Sequence, residues 1–443
     1  MTSRLRHPLT ATGAAVVLTL PWVFSWATGL AEGFTSLTTV AVSGFAVLGA
    51  SFLLAWGAET AEKDVPRAFA LAVLAVLAVA PEYAVDALYA WQAGADPGSS
   101  AAANLAVANM TGANRILIGL GWSGIALFSI YKATSGSRGD DSVVNNEGTL
   151  RDAVKLDPSI ATEILFLFGA TVFAFFVPLN GGIGMIDTIV LVGLYVAYIG
   201  IIIRGDAEDH DEQVGVPAYF QAKSRRVRAP VILTLFAYSG FLILTAVEPF
   251  AHGLEELGLQ YGIPEFFMIQ WIAPLASESP ELIVTAYLVN KARATAAFNA
   301  LISSKLNQWT LLIGTLAVVY SISLGAIGVL PFDFKQTAEI WLTAAQSFFA
   351  LAILVNFRIS VREAVTLLVL FVSQVGIEFA IIQTVPEATA ETYSIYILLA
   401  YTVVYVLLGI GLLATRREEL RRLAKRTVAN IRGTPIPDPE HAD

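Results

Sequence analysis

The sequence predicts an all-α, polytopic membrane protein with about twelve transmembrane helices. Of its 443 residues, 56% are hydrophobic and only 14% are charged, with a mean hydropathy of +0.66. Apolar runs of about 20 residues, enough to cross a hydrocarbon core, recur along the whole chain. Two of these runs carry a Pro-Glu pair in their middle, Pro81-Glu82 and Pro280-Glu281. Period-2 alternation is missing, which argues against a β-barrel.

Composition narrows the chemistry. The chain has no cysteine, which excludes disulfides, thiolate metal centres and iron–sulfur clusters. His7, His210, His252 and His441 all lie outside the apolar runs, which argues against haem or zinc in the membrane. The net charge of -9 gathers in loops, most densely in residues 205–212, which read as a solvated segment without EF-hand spacing. No cofactor and no nucleic-acid partner is expected. The expected partners are inorganic cations and the lipid bilayer.

Taken in order, residues 1–36 form a short tail with Arg4 and Arg6 and an extra helix over about 12–30. This first run reads as a retained helix rather than a leader cleaved near Ala31. Residues 37–203 hold five helices, at about 37–57, 66–91, 101–131, 160–177 and 183–203. A charged linker, 204–229, follows. Residues 230–384 hold five more, at about 230–247, 266–289, 295–329, 338–355 and 361–382, with a loop at 248–265 that contains His252 and Gly253. A last helix occupies 385–415, and a tail, 416–443, is basic and then Pro-rich and disordered. Trp22, Trp26, Trp91 and Tyr131 read as interfacial belts.

Lys and Arg set the orientation. With the N-terminus inside, the inner connections carry Lys63, Arg67, Lys132, Arg138, Arg151, Lys155, Arg204, Lys223, Lys291, Arg293, Arg358 and Arg362, and the outer ones almost none but Lys335. Both termini are then cytoplasmic, in a multi-pass cell-membrane protein. The Glu82 helix runs outward and the Glu281 helix runs inward. The two five-helix sets are therefore inverted repeats, an architecture of secondary transporters.

The two Pro-Glu stretches concentrate the chemistry. A carboxylate at that depth is expensive unless it is partnered or faces a cavity. Proline removes a backbone donor and frees a carbonyl one turn earlier, near Leu77 and Ala276. The next helix in each half is rich in amides and hydroxyls: Asn109, Thr111 and Asn114 in the first, Asn299, Ser303 and Asn307 in the second. Carboxylates, amide oxygens and freed carbonyls together make the oxygen-rich environment that a hard cation such as Ca²⁺ requires. A single Pro-Glu reads equally well as a kink with a hydrogen-bonded acid, and Asn104 and Asn299 as helix–helix glue. The pairing of two such motifs in inverted contexts favours the ion site.

These paired stretches resemble the α-repeats of the calcium/cation antiporter superfamily, of the sodium/calcium exchanger type. The resemblance implies a ten-helix core of 5+5 inverted repeats with one flanking helix at each end, and exchange of Ca²⁺ for Na⁺ or H⁺ by alternating access. It implies that Glu82 and Glu281 are the central ion-binding acids, with Ser277, Asn307, Ser303 and either Asn109 or Asn114 as further ligands. The sequence departs from the family pattern in places. Ala78-Val79 replaces a Thr-Ser, Glu278 replaces a Ser, and Asp86 adds an acid one turn after Glu82. Two cations, Arg115 and Lys305, lie inside the amide helices. They are expected either to pair with Asp86 or Glu278, replacing a bound ion and favouring proton coupling, or to snorkel to an interface. The rival within transport is monovalent Na⁺/H⁺ or K⁺/H⁺ exchange. A more distant rival is an intramembrane hydrolase built on Gly121-Trp122-Ser123-Gly124, which has no histidine base in the membrane.

Overall fold

The computed structural model describes residues 7–65, 80–134, 142–144, 152–204 and 214–431. Arg4, Arg6, the 66–79 half of the third predicted helix with Leu77 and Ala78-Val79, Arg138, Arg151, the acidic run 205–212 and the tail beyond Ile431 lie outside the described residues.

The described chain is helical almost throughout. In order it forms α1 (Pro8–Thr28), α2 (Ser36–Ala61), α3 (Ala80–Ala95), α4 (Ala101–Ile116), α5 (Ser123–Thr134), α6 (Ala161–Ala174), α7 (Met185–Arg204), α8 (Gly215–Gln221), α9 (Arg225–Tyr261), α10 (Glu265–Asn290), α11 (Ala294–Asn307), α12 (Ile313–Leu324), α13 (Phe334–Leu354), α14 (Val361–Thr384), α15 (Glu387–Thr415) and α16 (Arg417–Ile431). Among the described residues, ten helical spans are long and apolar enough to cross a membrane. The two helices that carry the Pro-Glu motifs join them to give the twelve expected runs. Of these, α3 is described only from Ala80, and α10 is long but carries Glu265, Glu278 and Glu281.

Local chemistry explains the ends. His7 Nδ1 accepts from Leu9 N at 3.2 Å ahead of Pro8, a residue suited to a first turn. Asp333 caps α13 by accepting from Gln336 N at 2.9 Å. Ser360 and Glu363 form a reciprocal capping box at the start of α14.

The chain divides into two compact units, each drawing segments from both halves of the sequence. The first comprises Met1–Ala113, His210–Leu282 and Val319–Leu330, and the second Asn114–Asp209, Ile283–Val318 and Pro331–Asp443. In the first unit α1, α2, α8 and α9 share an apolar core of Leu53, Trp56, Val216, Phe220 and Leu235. Its polar edges are tied by Arg228, which grips Asp64 with two nitrogens at 2.7 and 2.5 Å.

Three expectations change here. Residues 248–265, read as a loop, mostly continue α9, which runs for 37 residues through Pro230 and Pro249. Each proline removes one backbone bond, and the remaining bonds carry the helix across. The polar residues that suggested a loop have specific partners. Glu255 accepts from Tyr89 at 2.7 Å, Glu256 accepts from Ser36 at 2.8 Å, and Gln260 donates to Ser36 at 2.8 Å. Trp22 is not in a belt. It is 2% exposed and donates its indole N–H to Thr245 at 3.1 Å, whereas Trp26, Trp91 and Tyr131 are exposed. The basic start of the C-terminal tail is the helix α16, which buries Leu423 and Thr427.

In the second unit a small antiparallel sheet joins β1 (Val143–Val144), β2 (Ala153–Lys155) and β3 (Arg358–Ser360), with Val154 opposite both Val143 and Ile359. Two π-helical segments interrupt long spans at matching places, Leu117–Trp122 between α4 and α5 and Gln308–Leu312 between α11 and α12. Each follows directly on its amide stretch. Gly119 lies against the ring of Phe371, and Gly314 against Leu191 and Val192, so the bulged turns pack closely on neighbouring helices.

The reversal from α10 to α11 is made in three residues. Ala292 takes φ 58, and the N–H groups of Ala292 and Arg293 close on Val289 and Leu288 carbonyls at 3.0 and 3.1 Å. An alanine in the left-handed region is strained by about 1–2 kcal/mol. Ala292→Gly is expected to raise stability by roughly 0.5–1 kcal/mol, read as a higher midpoint of thermal unfolding in detergent.

Candidate cation site

In the first unit, α3 and α10 bring the two Pro-Glu motifs together. Glu82 is 4% exposed. It accepts the Ser277 hydroxyl, and the carboxylates of Glu281 and Asp86 lie near enough to act on its charge. Glu281 in turn feels Glu59 at the end of α2. Asp86 is fully buried and accepts from Asn109 Nδ2 at 2.8 Å, which ties α3 to α4. Gln270 of α10 donates to Thr111 of α4 at a long 3.4 Å. Gly112 makes that approach possible, because a Cβ there would overlap the Gln270 carbonyl.

The acceptors in this cluster outnumber its donors. Glu82 Oε2, Asp86 Oδ2, Asn109 Oδ1 and Gln270 Oε1 are buried without a hydrogen-bond partner among the described residues. Buried oxygens are normally satisfied, by water, by protons or by a cation, and each of these suits a cluster of acceptors. Among the described residues, no three Asp, Glu or His side chains converge to hold a metal ion on their own. Amide and hydroxyl oxygens would therefore have to complete any cation shell built on these acids.

Proline does not break the second motif. Helix α10 runs unbroken through Pro274 and Pro280. Here Ser279 donates its hydroxyl to the Leu275 carbonyl one turn back, and the single Ser277 hydroxyl proton is shared between Glu82 and the Pro274 carbonyl at 3.3 Å. Glu59 was missed by sequence reasoning because the second helix was expected to end near residue 57. Helix α2 extends to Ala61, so Glu59 sits inside its last turn.

A single family model, described as "Sodium/calcium exchanger protein", matches residues 35–204 and again residues 231–380. The chain belongs to this family. The two matched segments correspond to the two halves read as inverted repeats, and the family is one of membrane cation exchangers. Among solved structures, the chain is similar to an "H+/Ca2+ Exchanger CAX", with 43% identity over 96% of this chain and 98% of that one and a TM-score of 0.82. It shares its fold with the "Ca2+/H+ antiporter" YfkE, with 16% identity over 83% of this chain and 98% of that one and a TM-score of 0.56. No curated protein sequence matches the chain.

The exchanger's other candidate residues separate by unit. Glu278 belongs to the first and is fully buried. Asn114, Ser303 and Asn307 belong to the second. Asn307 is buried where the π segment begins, and Ser303 donates to the Tyr198 hydroxyl, which donates to Glu163 at 3.1 Å. The amide oxygen of Asn114 accepts from Lys305 Nζ at 2.7 Å, and its backbone carbonyl accepts at 3.2 Å. Lys305 is 0% exposed and lies 4.4 Å from the centre of the Trp309 ring. Ser123, the hydrolase candidate, donates its hydroxyl to the Gly119 carbonyl within its own helix.

Neither buried cation snorkels. Arg115 is 1% exposed and pairs with Glu339 at 2.6 Å, not with Asp86. It also donates to Gln374, whose Nε2 donates to Glu378 at 2.9 Å, and Lys335 stands 3.7 Å from Glu378. Sequence reading overlooked Glu339, Gln374 and Glu378. The signal was available, since each is a polar residue inside an apolar run.

Two outcomes test this geometry. Gly112→Val is expected to force α4 from α10 and cost about 1–3 kcal/mol, read as a lower unfolding midpoint. Arg115→Met is expected to cost about 3–5 kcal/mol by stranding Glu339, while Arg115→Met combined with Glu339→Met recovers most of the loss.

Proposed function

We propose that this exchanger is a Ca²⁺/H⁺ antiporter in which Glu82 and Glu281 hold the transported ion. The observation that carries this reading is the meeting of the two acids in one unit, with the Ser277 hydroxyl on Glu82 and with spare oxygens on Asp86 and Asn109. Two acids that act on each other's charge favour a divalent cation over a monovalent one. When the cation leaves, protons remove the repulsion, so the same oxygens bind either Ca²⁺ or protons in turn. Alternating access converts that competition into exchange.

Two further points favour protons over Na⁺ as the counter-ion. The solved exchanger that shares 43% identity with this chain is named for H⁺/Ca²⁺ exchange. In addition, the Asn114 oxygens, which sequence reading offered to a cation, already accept the Lys305 ammonium. A fixed internal cation occupies oxygens that a monovalent metal ion would otherwise use. The clustering of Lys and Arg on alternate connections favours cytoplasmic termini.

The decisive experiment is ⁴⁵Ca²⁺ uptake into proteoliposomes under separately imposed pH and Na⁺ gradients. A pH gradient is expected to drive uptake and a Na⁺ gradient is not. Uptake driven by Na⁺ alone would overturn the proton assignment. Glu82→Gln and Glu281→Gln are each expected to lower exchange by more than about 100-fold, and Ser277→Ala by about 10-fold, while leaving the chain folded. Lys305→Ala is expected to make Ca²⁺ uptake sensitive to Na⁺ or K⁺. Unchanged ion dependence in a folded Lys305→Ala variant would remove the internal-cation argument.

A further inference from the structure

The last described helix, α16, lies beyond the segments matched by the exchanger family, and its position is fixed closely. Helix α15 exposes Tyr396, Val403, Leu407 and Ile410, an apolar face suited to lipid. It ends at Thr415, and α16 begins at Arg417, so a single residue separates the spanning helix from the next one. That residue, Arg416, is pinned. Its guanidinium donates to the Ala352 and Ile353 carbonyls at 3.4 and 2.6 Å and to the Glu363 carboxylate. The bend is therefore held at the last turn of α13. One side of α16 is docked as well: Leu423 is buried, and Thr427 donates to the Ala161 carbonyl at the start of α6 at 3.2 Å.

The other side is exposed and basic. Arg417, Arg421, Arg422 and Lys425 are exposed, and Arg426 is half-buried beside them. Within α16, Glu418 and Glu419 are the acids beside this charge, and Glu418 is paired with Arg421 at 3.0 Å. Val428, 42% exposed, adds an apolar contact one turn beyond Lys425. A helix with one docked side, one cationic side and an apolar edge, held within a residue of a spanning helix, lies at headgroup depth.

We propose that α16 is a lipid-reading helix. Its exposed Arg and Lys side chains bind anionic phospholipid headgroups of the leaflet in which α15 ends, and Val428 enters the acyl boundary. Anionic lipid attracts such cations at short range, and salt screens the attraction. The inference does not depend on which ions are exchanged.

The test uses the full-length chain in vesicles of phosphatidylcholine with or without phosphatidylglycerol. Because the sequence has no cysteine, Val428→Cys places one environment-sensitive probe on the helix. Its emission is expected to shift to the blue, with protection from an aqueous quencher, only when phosphatidylglycerol is present. High salt is expected to reverse the shift. Arg421→Gln, Arg422→Gln and Lys425→Gln combined are expected to weaken the response roughly 100-fold in lipid titrations. Native mass spectrometry of the unsubstituted chain gives a second reading, with more phosphatidylglycerol than phosphatidylcholine retained and the excess lost in the triple variant. Equal probe signals in both vesicles, equal retention of both lipids, or a triple variant that behaves like the parent would each overturn the proposal. So would a shift that needs a soluble acidic protein rather than lipid.

Discussion

A charge removed from water must be met by another charge, by a proton or by a dense set of dipoles, and the interior of this protein is arranged around that requirement. It meets the requirement in two opposite ways. In the first unit, like charges are gathered: Glu281 acts on Glu82 and on Glu59, Asp86 acts on Glu82, and Glu82 Oε2 and Asp86 Oδ2 have no hydrogen-bond partner among the described residues. In the second unit, unlike charges are gathered: Arg115 with Glu339, and Lys335 with Glu378, bridged by Gln374. The first arrangement concentrates negative charge that protons or a cation would offset, in keeping with the site proposed above. The second sets each acid against a cation and suits a scaffold.

Much of this was legible in the sequence. Twelve apolar runs, the duplicated Pro-Glu and the inverted order of the halves follow from hydropathy, charge placement and motif spacing. These are properties of single segments, and a segment's relation to lipid is decided locally. The partner of Arg115 was not legible, because Glu339 lies 224 positions away and no local rule pairs them. The helical course of residues 248–261 was hidden for a related reason. Glu255, Glu256 and Gln260 look like loop residues until Tyr89 and Ser36 supply their hydrogen bonds. Glu59 was hidden by a boundary misplaced by one turn.

Proline marks a location here without ending a helix. Pro280 marks the place where Glu281 meets Glu82, yet α10 passes through it as a helix. The nearby serines turn their hydroxyls onto carbonyls one turn back, which helps a bent stretch remain helical. The carboxylate, and not a break in the chain, is the distinctive element of that motif.

The two π segments carry a consequence of their own. Each inserts a residue into a helix, so the side chains beyond Trp122 and beyond Leu312 are rotated about the axis by roughly 100° from the phase set by Asn114 and Asn307. A dislocation of this kind can migrate by one position at the cost of exchanging a few backbone bonds, twisting one part of a rod while the other stays still. Each matched half carries one such dislocation, so a twist open to one half is open to the other as well.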